Sequence, residues 1–155
     1  MYSASNNFAF LFTRKSIMKI LIGWSMSFAS QMYEVKSALE ALWHEANLSP
    51  NMDFFTTNAK EQVTLEQELA FCRSTGIVKK FFDEIPKHEW MIVLNYDKKG
   101  IHGYLGTSVL MEIAIAYFLG KKIYLLHDID RSQPYALEVL VIDPMILNGD
   151  LSLIK

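Results

Sequence analysis

Short, nearly uninterrupted apolar runs alternate along the chain with longer stretches in which apolar residues return every three or four positions. Residues 19–23 (KILIG) are the first run, and apolar residues on successive positions mark a strand covered on both faces. After the polar turn 24–27, Phe28, Met32, Val35, Leu39 and Leu42 trace the stripe of an amphipathic helix, with Ser25 or Ser27 as N-cap. Residues 47–58 read as loop with room for a short strand. Residues 61–73 and 77–85 read as helices separated by Gly76, the second stopped by Pro86. Residues 90–94 (WMIVL) are the second buried strand. A loop with glycines at 100, 103 and 106 leads from it into a helix over 108–119, which Gly120 closes as C′ residue ahead of Lys121 and Lys122. Residues 123–126 form a third strand. Residues 134–137 can start a short helix, 139–142 read as a further strand or its continuation, and 145–155 are mixed.

Strand, helix, strand, loop, helix, strand is the rhythm of an α/β domain, a Rossmann-like open, mainly parallel sheet with helices on both faces. The 155 residues suffice for one such domain, which we place at 18–155, with residues 1–17 as an extension outside it. The apolar stretch at 8–12 is short and precedes Arg14 and Lys15, the reverse of a secretory signal, so a cytoplasmic protein is expected. No apolar run reaches the ~20 residues that span a bilayer. A formal net charge of −2 gives no reason to expect nucleic acid or an anionic membrane as partner. With one cysteine, Cys72, and four scattered histidines, neither a metal site nor an internal disulfide is expected. No cofactor is implied.

Ligands of open parallel sheets bind beyond the carboxyl ends of the strands. Two joints leave those ends here, 23–27 and 95–108, and both carry glycine and hydroxyl residues. Gly23 would let a ligand approach the backbone, and Ser25 could donate to it or merely cap the helix. Asn95, Tyr96 and Asp97 could hydrogen-bond a sugar or form a turn. The segment Lys98-Lys99-Gly100-Ile101-His102-Gly103-Tyr104-Leu105-Gly106-Thr107-Ser108 offers amides, two hydroxyls and two lysines to the start of a helix, the ingredients of a phosphate cradle or of a plain glycine-eased surface loop, and it matches no P-loop order. In the helix itself ten of the eleven residues 109–119 are apolar, so it is expected to be buried on nearly every side. Glu112 is the exception. A carboxylate in such surroundings is a candidate nucleophile or acid–base group, against the plainer reading of a glutamate touching water at the helix edge.

The segment SVLMEIAIAYFLGKKIYLL (108–126), and less specifically MKILIGWSMSFA (18–29), resemble the nucleoside 2-deoxyribosyltransferase-like superfamily, which includes deoxynucleoside-monophosphate N-glycosidases. The likeness spans roughly 18–155 and is closest to small members of unassigned activity. It implies cleavage or transfer at the N-glycosidic bond of a (deoxy)nucleoside or nucleoside 5′-monophosphate, with Glu112 attacking the anomeric carbon. Gly23 and Ser25 would line the base or sugar side, and Gly106, Thr107 and Ser108 would hold the 5′ end or its phosphate; Asn95, Asp97, Gly103 and Tyr104 are further candidate substrate-binding residues of the loop. A homo-oligomer is a further implication. The group usually has glycine where Ser108 stands, and an aspartate supporting the glutamate, for which Asp83 and Asp97 are the nearest candidates and Glu89 stands where many relatives have it. The alternative is a non-catalytic nucleotide-binding or sensing module of the same fold.

Overall fold

The structure is a computed structural model that describes residues 17–24, 28–49 and 64–155. Among the described residues five strands form one all-parallel sheet. They are β1 (Lys19–Trp24), β2 (Glu45–Asn47), β3 (Trp90–Leu94), β4 (Lys122–Leu125) and β5 (Met145–Ile146), in the spatial order β2-β1-β3-β4-β5. The helices between them are α1 (Ala29–Ala41), α2 (Leu65–Thr75), α3 (Ile77–Glu84), α4 (Thr107–Phe118) and α5 (Ala136–Val141). The expected open parallel sheet is therefore present.

Both faces of the sheet are dry because the apolar runs supply an inward residue at every position. Ile20, Ile22, Ile92, Leu94 and Tyr124 pack on one face against Met32, Val35 and Leu39 of α1 and against Leu147 and Ile154 of the carboxyl tail. Leu21, Met91, Val93, Ile123 and Leu125 pack on the other face against Phe81 of α3, Val109, Ile113 and Ala116 of α4 and Val139 of α5. Each of these large side chains contributes about 1.5–3 kcal/mol by leaving water. No helix among the described residues is long and apolar enough to cross a membrane.

Several local expectations need correction. Ser25 and Ser27 lie outside the described residues, and Phe28 occupies the N-cap position of α1 without a side-chain cap. Residues 139–142 are not a strand: Val139 and Val141 belong to α5, the first buried and the second facing solvent. The reason is topological, since β4 and β5 are parallel and the chain between them must cross over a sheet face. Thr64 caps α2 in a reciprocal box with Gln67, and Gly76, with a φ of +61°, separates α2 from α3. The helix α4 is covered on its sheet side alone. Met111, Ala114, Tyr117 and Phe118 are exposed, contrary to the all-round burial its composition suggests.

Candidate active site

The chain leaves β3 at Leu94, loops through 95–106 and enters α4 at Gly106, whose extended backbone (φ −77°, ψ 158°) makes the N-cap turn without a side-chain cap. Glu112 follows in the second turn, on the stripe that Val109, Ile113 and Ala116 turn toward the sheet. It is 9% exposed, and its Oε2 has no hydrogen-bond partner. Burial alone pushes its carboxyl up to about 8, because removing the charged form from water is unfavourable. Below this group lies Gly23, which pairs with Val93 at the carboxyl end of β1. A Cβ on Gly23 would run into the Met91 methyl and lie 3.3 Å from Glu112 Oε2. Glycine is thus what leaves room over the strand for the carboxylate. The boundary between β1 and β3 is also where the strand order reverses, the place where open sheets part their loops into a crevice.

The glycine loop is braced from within. Lys98 and Ile101 exchange both backbone hydrogen bonds at 3.0 Å across Lys99 and Gly100, whose positive φ values (54° and 74°) are those of a type I′ turn. The Gly103 N–H donates to Asp97 Oδ1 at 3.0 Å, and His102 Nδ1 lies 2.8 Å from the same oxygen. These two contacts, the Gly103 N–H first, hold the Asp97 carboxyl below its ordinary range. Tyr104 N–H donates to the Tyr96 carbonyl and Leu105 N–H to the Tyr135 hydroxyl. The expected cradle of loop amides is thereby narrowed: the amides of Lys98, Ile101, Gly103, Tyr104 and Leu105 are engaged within the protein. The first turn of α4 is open, since its N–H groups lack intrahelical acceptors and Thr107 and Ser108 are exposed.

Asn95 is fully buried and faces the protein rather than a ligand. Its Nδ2 donates to the His127 carbonyl at 2.7 Å, its Oδ1 accepts from the His127 N–H at 2.9 Å, and the Gly103 carbonyl lies 3.5 Å from Nδ2. It thereby sets the place of His127, a residue with no signal in the sequence because its partner is 32 positions away. Phe28, Tyr96, His127 and His102 form a chain of rings with successive centroids 5.3, 5.6 and 6.3 Å apart. Burial, and then the neighbouring His102, hold the His127 imidazole below its usual value, with Asp97 opposing. Tyr104 carries the Lys98 ammonium 5.2 Å above its ring.

Gly103 is the most constrained point of the loop, with a φ of +58° and a Cβ position that would overlap the Asp128 carbonyl. Gly100 has a φ of +74° but open space around it. Gly103→Ala is expected to destabilise by at least ~3 kcal/mol in urea unfolding, and Gly100→Ala by only about 1 kcal/mol. Equal losses would show that the Asp128 contact does not hold the loop.

The structure brings Gly23 and Glu112 together and sets Gly106, Thr107 and Ser108 at the entrance of the same helix. Ser25 lies outside the described residues. Asp83 is on the surface of α3, paired with Lys79 at 2.7 Å, and Glu89 is exposed. Among the described residues no acidic side chain hydrogen-bonds Glu112. Set beside known proteins, the chain matches no family model, and no curated protein matches it significantly.

Proposed function

We propose that the protein cleaves or transfers at the N-glycosidic bond of a nucleoside or nucleoside 5′-monophosphate through Glu112. The observation that carries this reading is the buried Glu112 carboxylate, its Oε2 unpartnered, held over the bare backbone of Gly23 at the β1–β3 boundary. In the first step a Glu112 oxygen bonds to the anomeric carbon while the C–N bond breaks, and the base departs with the electron pair and takes up a proton. Water, or a nitrogen of a second base, then displaces the carboxylate from the glycosyl ester. The open first turn of α4, with Thr107 and Ser108, suits a 5′ oxygen or phosphate.

Since the nucleophile must be ionised and its carboxyl titrates near 8, kcat/KM for base release is expected to rise about tenfold per pH unit below that value and to level above it. Chromatography of free base from a panel of nucleosides and 5′-monophosphates, with and without an acceptor base, tests the proposal. Release by the wild type and not by Glu112→Gln supports it. Release that survives the substitution, or that occurs from no member of the panel, overturns it.

One observation favours the alternative, a nucleotide-binding module. A carboxyl that stays protonated at neutral pH can donate a hydrogen bond to a ligand without reacting. In that reading Glu112→Gln keeps its affinity in calorimetry, and no base is released.

A further inference from the structure

At the amino-terminal end of β4 and β5 the domain presents apolar side chains to water. Tyr117, Phe118 and Leu119 stand where α4 ends ahead of β4, and Val141 where α5 ends ahead of Met145, the first residue of β5. All are exposed, Phe118 by 86% and Val141 by 69%. Between them opens a cleft of about 320 Å³, lined in part by Tyr117, Ile123, Ile142, Asp143 and Met145. The chain enters β1 from the same end, since the strands are parallel and Ile20 is level with Trp90, and Trp90 with Lys122. A short way before that entry the sequence reads FAFLF at 8–12, which lies outside the described residues. In an extended segment Phe8, Phe10 and Phe12 fall on one side.

We propose that residues 8–12 of the same chain dock in this cleft as an extended strap, with Phe8, Phe10 and Phe12 turned toward the ends of α4 and α5. Three arguments select this occupant. The first is reach. β5 stands three strands from β1, which is about 14 Å at ~4.8 Å per strand. Residues 13–17 can span about 17 Å, enough to bring Phe12 to the mouth of the cleft. The second is charge. Neither α4 nor α5 has a basic residue in its last turn, and the exposed Asp143 stands beside them. Arg14 and Lys15, in the connecting stretch, supply the positive charge that helix carboxyl ends favour. The lysines already there are engaged elsewhere: Lys121 Nζ donates to the Pro86 carbonyl at 3.0 Å, and Lys122 Nζ lies 4.9 Å over the Trp90 ring. The third is the tether, which holds the segment at an effective concentration of ~mM, far above that of a second copy or an unlike partner in dilute solution. The strap does not depend on the chemistry proposed at Glu112.

Disulfide trapping in the full chain tests this, with Cys72→Ser as background. Leu11→Cys is paired with Met145→Cys in one protein and with Glu45→Cys in another. Glu45, beside the exposed Trp43, is only one strand from β1, so a segment moving freely about its tether would meet it at least as often as Met145. Oxidation of the dilute protein, followed by mass spectrometry, is expected to close the 11–145 disulfide within one chain at least tenfold faster than the 11–45 disulfide. Replacing Phe8, Phe10 and Phe12 by Ser should remove that preference. Equal rates, a faster 11–45 reaction, a preference that survives the serine replacements, disulfides between chains only, or no disulfide at all would each overturn the proposal. Circular dichroism verifies folding, and Tyr117→Cys replaces Met145→Cys should the latter fail to fold.

Discussion

Glu112→Gln is expected to lower base release at least ~10³-fold and, at the same time, to make the protein more stable above neutral pH. The loss follows from the chemistry, because an amide oxygen does not form the glycosyl ester. The gain follows from linkage. In the unfolded chain Glu112 ionises near 4.5, whereas in the folded protein burial raises it to about 8. Below 4.5 both states hold the proton and the group contributes no difference. Between the two values only the folded state retains it, so folding becomes less favourable by about 1.4 kcal/mol per pH unit. Above 8 the penalty is complete, with an upper bound of about 5 kcal/mol. The glutamine variant escapes it. Its melting temperature should match the wild type at pH 4.5 and exceed it by roughly 10 °C at pH 9. Other titrating groups are common to both proteins and cancel in the comparison. Parallel melting across that range would mean that Glu112 has a compensating partner when the chain is in water.

Which parts of this arrangement the sequence discloses depends on how local their causes are. The strands β1, β3 and β4 are legible because two-sided burial leaves continuous apolar runs. The two edge strands, β2 and β5, are three and two residues long, too short for any period to declare itself. The stretch Val139 to Ile142 is apolar and partly β-branched and reads as strand from its own residues. Only the parallel pairing of β4 and β5, a non-local fact, requires it to be part of a crossover. Glu112 stands out as the one acidic residue in an apolar helix, and its inward direction confirms that it is not a solvated helix edge. The glycine loop was legible as a loop but not as a braced one, since Asp97 must fold back on Gly103 and Tyr135 must arrive from the α5 side before its amides are engaged. Composition likewise gives the apolar character of α4 but not which side of it the chain itself covers.

Asn95 is where a sugar contact and a structural role predict opposite results. The β3–β4 ladder ends at the bond from Leu126 N–H to the Val93 carbonyl, and the Asn95 side chain then supplies both the donor and the acceptor of the next rung, to His127. Asn95→Ala leaves the His127 N–H and carbonyl without these partners, with an expected loss of about 2–4 kcal/mol in urea unfolding. Asn95→Asp is more diagnostic. Its carboxylate can still accept from the His127 N–H, but it faces the His127 and Gly103 carbonyls with no hydrogen to donate, and it is buried. Protonation restores a donor, so its folded-state pKa should lie above the unfolded value of about 3.9. The deficit relative to wild type should then be small near pH 3.5 and grow as pH rises toward the folded-state value. Had Asn95 touched the sugar, both substitutions would raise KM while leaving stability unchanged. A stability loss that deepens with pH in Asn95→Asp, together with displaced His127 resonances in the nuclear magnetic resonance spectrum, would instead show that Asn95 ties the β3 and β4 loops together. The paired rings of Tyr96 and His127 would then owe their position to the Asn95 side chain.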